Sequence, residues 1–198
     1  MTTETQTSGD KLTFYFDPLC PWAWRTANWV REVRKEQPLD VEWKFFALAE
    51  ANNRTESAML IPLRVAALVR RQGGNEAVDK YYEVVANAIH GGHAKVREES
   101  DARQVVRDAL TQIGMNPSLV DEAMDDDTTR EEVLADHAEA RDSYEAFGVP
   151  WLVLDGEKIG FYGPVIDKVP TGKDAVDLWT HASWMLRQPY LYEFKRER

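Results

Sequence analysis

Strand patterns occur only at the two ends of this chain. Lys11 to Phe16 is a short β-branched and aromatic run, and Leu39 to Leu48 begins with apolar–polar alternation. Trp151 to Leu154 and Lys158 to Tyr162 flank Asp155-Gly156, a strong hairpin signal. Between 55 and 147 only helical patterns appear. Pro62 to Gln72 and Glu76 to His90 are predicted helices closed by Gly73-Gly74 and Gly91-Gly92. Ala102 to Ile113 keeps its apolar residues on one face, Asn116-Pro117 opens a short helix, and Thr129 to Phe147 repeats apolar residues at helical spacing. A helix from Cys20-Pro21 to about Glu36 and another from about Asp174 to Arg187 complete the order: β-α-β, an all-helical block, then β-β-α. The sheet must join segments remote in sequence. This predicts an α/β domain of residues 11–54 and 148–198 interrupted by a helical insertion, 55–147.

Charge divides along the same line. Residues 55–147 hold 19 acidic and 10 basic residues, net −9, within a chain of net charge −10. Such a balance argues against nucleic-acid and anionic-membrane surfaces. No apolar run approaches the ~18 residues of a membrane span, and the polar start, residues 1–10, reads as disordered without a signal-peptide core. A cytoplasmic protein is expected.

Cys20 is the only cysteine of the 198 residues, so an intramolecular disulfide and a multi-thiolate metal site are excluded. It stands between a strand end and a helix start. First-turn N–H groups and the helix dipole there lower a thiol's pKa from ~8.5 toward ~3.5–7, and the thiolate is the attacking form in disulfide exchange. Pro21 suits the first helical turn, and Trp22 and Trp24 place apolar surface beside the sulfur. Gly148-Val149-Pro150 precedes the third strand, where a cis X-Pro bond would present the backbone of Val149 outward.

Phe14 to Trp24 (FYFDPLCPWAW) resembles the active-site segment of the DsbA-like branch of the thioredoxin superfamily. That branch includes FrnE-type proteins, kappa-class glutathione transferases, 2-hydroxychromene-2-carboxylate isomerases and mycothiol-dependent oxidoreductases. Gly148-Val149-Pro150 matches the family's cis-Pro loop. Asp17 to Trp22, Ile89-His90, Phe161 to Pro164 and Glu193 to Arg196 are most similar to the mycothiol-dependent reductases. The resemblance implies a thioredoxin-like fold with a helical insertion; Cys20, Pro150 and Asp17 are the candidate catalytic residues, and Pro21, Trp22, Val149, His90 and Asn53 the candidate substrate contacts.

The departure from the family pattern is Ala23, where a dithiol enzyme carries its second cysteine. A dithiol cycle within one chain is excluded. Either Ala23 is natural and Cys20 works as a monothiol, or it replaces a cysteine to trap a mixed disulfide; Cys-Pro-Trp-Ala-Trp fits the first. A monothiol needs regeneration by an external small thiol such as mycothiol or glutathione, with no tightly bound cofactor. Asp17 either tunes the thiol or simply ends the strand.

The remaining polar candidates carry weaker signals. His90 and His93 lack a third ligand at zinc spacing, so no metal is expected, and a helix C-cap competes with a cleft role for His90. His137 lies within an apolar stripe and reads as a hydrogen-bonded core histidine. Asn52, Asn53, Arg54, Arg64, Arg70 and Arg71 are candidates to reach a cleft, with a solvated face as the default. The expected partners are a small thiol and a small-molecule or disulfide substrate, with the chain a monomer or homodimer. Two other functions compete: a kappa-type transferase or chromene-carboxylate isomerase, which uses a hydroxyl at the Cys20 position, and a redox-inactive binding module.

Overall fold

The computed structural model describes residues 10–54, 57–96 and 98–196. Strand β1 (Asp10–Phe16) leads through helix α1 (Pro21–Glu36) to β2 (Leu39–Phe45) and a short helix α2 (Leu48–Ala51). The helices α3 (Ile61–Ala86), α4 (Glu99–Gln112), α5 (Leu119–Asp125) and α6 (Thr128–Tyr144) follow, with one π-helical turn at Asn87–Gly91. Strands β3 (Trp151–Leu154) and β4 (Phe161–Tyr162) and helix α7 (Gly172–Leu186) close the order. The sheet runs β2-β1-β3-β4, with β1 and β2 parallel and the other pairings antiparallel.

One face of the sheet buries an aromatic cluster. Phe14 and Phe16 meet Trp43 from β2, and Tyr82 from α3 stacks on Phe16 with ring centroids 4.0 Å apart. Helix α1 packs on α7 through Trp29, whose indole donates to the Ala175 carbonyl (3.0 Å) and lies 5.8 Å from the Trp179 ring.

The helical block is fastened to the free edge of β2. An edge strand exposes unpaired N–H and C=O groups that must be satisfied or covered. Asn75 does both: its Oδ1 accepts from the Trp43 N–H (2.8 Å) and its Nδ2 donates to the Val41 carbonyl (2.6 Å). Asp136 on α6 accepts from the Phe45 N–H (3.1 Å), and Lys44 pairs with Glu139 at 2.6 Å. Asn75 reaches the strand because the chain kinks at Gly74, whose φ of 67° and ψ of −163° suit glycine.

Several boundaries differ from the sequence expectations. The helix break expected at Gly73-Gly74 is present at Gly74, but the two helical segments of α3 meet there at a kink with no intervening loop. The second strand stops at Phe45, short of Leu48, because α2 begins there. The last β segment pairs only at Phe161 and Tyr162: the backbone at Gly160 passes so close to Trp151 that a Cβ there would lie 1.8 Å from the indole nitrogen. The sixth helix ends at Tyr144, where Glu145 turns left-handed (φ 57°) and leaves Phe147 outside it. Asp10, expected in a disordered start, begins β1 and accepts hydrogen bonds from Trp179 and Arg187; residues 1–9 lie outside the described residues. The Asp155-Gly156 turn is formed, with Gly156 at φ 81° and the Glu157 N–H bonded to the Leu154 carbonyl.

Asn75→Ala should lower stability by about 2 kcal/mol, because it strands the Trp43 N–H and the Val41 carbonyl at a covered edge. A fall in the urea midpoint with unchanged m-value checks this; an unchanged midpoint would show that water satisfies the edge equally well.

Candidate active site

The site begins where β1 ends. Asp17-Pro18 cannot continue the ladder, and the Cys20 N–H bonds to the Asp17 carbonyl (3.0 Å), closing a tight turn. The Asp17 side chain completes it. Its Oδ1 accepts from the Leu19 N–H (2.8 Å) and its Oδ2 from the Leu48 N–H (2.9 Å), tying the turn to the start of α2. Cys20 is then the N-cap of α1, followed by Pro21 at the first helical position.

Cys20 is 6% exposed. Its sulfur accepts from the Ala23 N–H at 3.4 Å, and the thiol donates to the Val149 carbonyl at 3.3 Å. The Val149–Pro150 peptide bond is cis, and both residues are buried. Two segments remote in sequence therefore meet at one atom: the first turn of α1 and the loop before β3.

The electrostatics correct one expectation. Burial pushes the Cys20 thiol above its usual range, and that outweighs the Ala23 and Trp22 N–H groups, which pull it down; the Asp17 charge adds a further upward push. The helix start supplies thiolate-stabilising donors, but in this closed arrangement desolvation wins. Asp17 is likewise held up, to about 6, because burial of its carboxyl outweighs its two N–H donors. At neutral pH Asp17 is mainly ionised and Cys20 is a thiol.

His90 braces the turn. Its Nε2–H donates to the Pro18 carbonyl (2.9 Å), and its ring lies 5.4 Å from that of Trp24. Burial, with Arg25 nearby, lowers its pKa and favours the neutral ring. Asn87, one turn earlier, accepts from the Trp24 indole at 2.7 Å. Together Asn87 and His90 attach the π-helical turn to the cysteine segment. Sequence reading missed Asn87; its spacing of three from His90 was the available signal. On the opposite side, Thr26 donates to the Pro164 carbonyl (2.8 Å), anchoring the loop after β4.

Other candidates lie apart. Asn53 is exposed and sits just past α2 with φ 53°; its side chain makes no hydrogen bond among the described residues. Arg64 is buried among the carbonyls of Ala123, Met124 and Asp126 and the Thr129 hydroxyl. Arg70 pairs with Asp136 and Glu132, and Arg71 with Asp126 and Glu132. These arginines bind α3 to α5 and α6. His137 is a buried residue beside Phe46, but neither ring nitrogen has a hydrogen-bond partner among the described residues, and burial lowers its pKa. No group of three or more His, Cys, Asp or Glu suited to a metal occurs among the described residues.

Known proteins resemble this chain in sequence and in fold. A family model described as Rv2466c-like, mycothiol-dependent nitroreductase Rv2466c, matches residues 19–196. Uncharacterized protein Rv2286c of Mycobacterium tuberculosis (strain ATCC 25618 / H37Rv) is 34% identical over 194 residues, covering 93% of this chain and 81% of that protein. A solved structure of 2-hydroxychromene-2-carboxylate isomerase superposes with a TM-score of 0.63 at 18% identity, over 88% of this chain and 94% of that one. The cytosolic disulfide reductase DsbM from Pseudomonas aeruginosa gives 0.58 at 14% identity, over 88% and 99%. At these identities the two structures speak for a DsbA-like fold.

Asp17→Asn removes a buried negative charge that opposes the thiolate. The pH midpoint of Cys20 alkylation by iodoacetamide should move downward; an upward or absent move would contradict the assigned coupling. The same variant tests stability. A carboxyl that titrates near 6 instead of 3.8 favours the fold fully below 3.8 and loses that contribution as pH rises through 6. The loss amounts to about 3 kcal/mol. Urea midpoints at pH 4 and pH 7 should show the decline in the wild type and a smaller one in Asp17→Asn.

Proposed function

The chain belongs to the Rv2466c-like, mycothiol-dependent nitroreductase family, and from that membership we propose a thiol oxidoreductase in which Cys20 is the single nucleophilic sulfur. The observation that carries this reading is the position of the sulfur. It caps α1 with the Ala23 N–H aimed at it and lies against the Val149 carbonyl in the loop of a cis-proline. Substrate entry that displaces the Val149 contact frees the thiol to lose its proton, while the first-turn N–H groups stay in place for the thiolate.

The reaction is then two exchanges. The Cys20 thiolate attacks one sulfur of a disulfide; a new S–S bond forms, the old one breaks, and the leaving thiolate departs with the electron pair and takes up a proton. A small thiol, mycothiol or glutathione, next attacks the mixed disulfide as its thiolate and releases Cys20, which recovers a proton. Ala23 is fully buried and offers no sulfur, so the second exchange needs the external thiol. The Asp17 charge adds to the proton affinity that burial gives the thiol. Pro21, Trp22, Val149 and Pro150 form the substrate surface, and His90 holds the turn that presents it. Asn53, exposed beyond α2, would meet only the outer part of a ligand. The reading places the reaction in the cytoplasm, in keeping with the cytosolic neighbour; no helix among the described residues is long and apolar enough to cross a membrane.

Intact mass after exposure to mycothiol disulfide and to glutathione disulfide tests the proposal. One adduct should form in the wild type and none in Cys20→Ser; an unmodified wild type with both reagents would overturn the nucleophile assignment. Ala23→Cys supplies the missing thiol beside Cys20. It should oxidise to an intramolecular disulfide, with the loss of two mass units, and no longer accumulate the mixed adduct.

A further inference from the structure

The rim of this site carries a cation that the reaction above does not use. Arg25 lies on α1 five residues after Cys20, roughly 7.5 Å along the helix axis. Its guanidinium carbon is 5.0 Å from the centroid of the Trp22 ring and 5.8 Å from that of Trp24. Both are within cation–π range, so the fork is held over the two indoles that flank the cysteine. Arg25 is half-buried and, among the described residues, makes no ion pair and no hydrogen bond.

Several arginines of the described structure, though not Arg54 or Arg141, show what a compensated guanidinium looks like here. Arg31 and Arg34 share Asp79, Arg103 and Arg107 share Asp121, and Arg130 meets Glu50. In a chain of net charge −10, carboxylates are plentiful, yet among the described residues none pairs with Arg25. Nearby His90 is kept neutral, and Asn87 is occupied by the Trp24 indole. The five N–H donors of Arg25 thus have no protein acceptor among the described residues.

Building on Cys20 as the nucleophile, we propose that Arg25, seated over Trp22 and Trp24, is a specificity-determining residue that binds a carboxylate on the molecule whose sulfur Cys20 attacks. A guanidinium fork matches the two oxygens of a carboxylate. The ligand class is a disulfide that carries a carboxylate.

Two chromogenic disulfides separate charge from reactivity: 5,5′-dithiobis(2-nitrobenzoate), which carries carboxylates, and neutral 4,4′-dithiodipyridine. Each forms a mixed disulfide with Cys20 and releases an aromatic thiol whose absorbance is followed. The ratio of the anionic to the neutral rate constant should fall about fivefold in Arg25→Gln, consistent with a partly exposed charge pair. Arg25→Lys should retain part of the ratio, and added salt should lower it in the wild type but hardly in Arg25→Gln. An unchanged ratio in Arg25→Gln, with Cys20 reacting with both probes, overturns the role of Arg25 and leaves Cys20 as nucleophile. Failure of the wild type to react with either probe overturns the nucleophile reading itself.

Discussion

The outer edge of β2 is the constraint on which the assembly rests. A parallel strand at the end of a sheet presents unpaired N–H and C=O groups, and the helical block closes them with side chains. Asn75 reaches Trp43 and Val41, and Asp136 reaches Phe45. Those bonds set where α3 and α6 lie against the sheet, and α3 in turn carries Tyr82 onto Phe16 and delivers the π-helical turn to the cysteine segment. The contacts of Asn87 with Trp24 and of His90 with Pro18 are therefore consequences of how an edge strand is satisfied.

At Cys20 two opposing effects meet. Backbone N–H groups at the helix start favour the thiolate, and burial favours the thiol; in this arrangement burial prevails. A sulfur 6% exposed and bonded to the Val149 carbonyl is protected at rest. In the proposed reaction its activation is tied to whatever displaces that carbonyl. Buried Asp17 works in the same direction, since its charge disfavours a second negative charge close by. For a protein with one thiol and no resolving partner, such protection limits adventitious mixed disulfides.

Much of this was legible in local pattern. The strand–Cys20–Pro21–helix junction, the Asp155-Gly156 turn and the helices between 55 and 147 follow from periodicity and turn chemistry, which act over a few residues. Less legible were features that depend on neighbours distant in the chain. Arg64 looked like a candidate for a cleft, but its burial among the Ala123, Met124 and Asp126 carbonyls could not be seen without the packing of α5 against α3. His137 has the apolar spacing of a core position, yet its lack of hydrogen-bond partners is a property of what surrounds it. Gly73-Gly74 reads locally as a helix end, and the helical conformation does break at Gly74; only the packing shows that the next helix begins at once and carries Asn75 to the β2 edge.

By itself the sequence determined the chemistry available. One cysteine at a helix start, with alanine at the place of its partner, excludes an internal dithiol cycle whatever the fold, because sulfur count is a covalent property. The tertiary structure decided how that sulfur behaves. Its protonation depends on desolvation and on the nearby Asp17 charge, its resting contact on a loop 129 residues away, and its uncompensated neighbour Arg25 on where carboxylates do not lie. Desolvation and charge act through space rather than along the chain, so they became defined only when β1, α1 and the loop before β3 had come together.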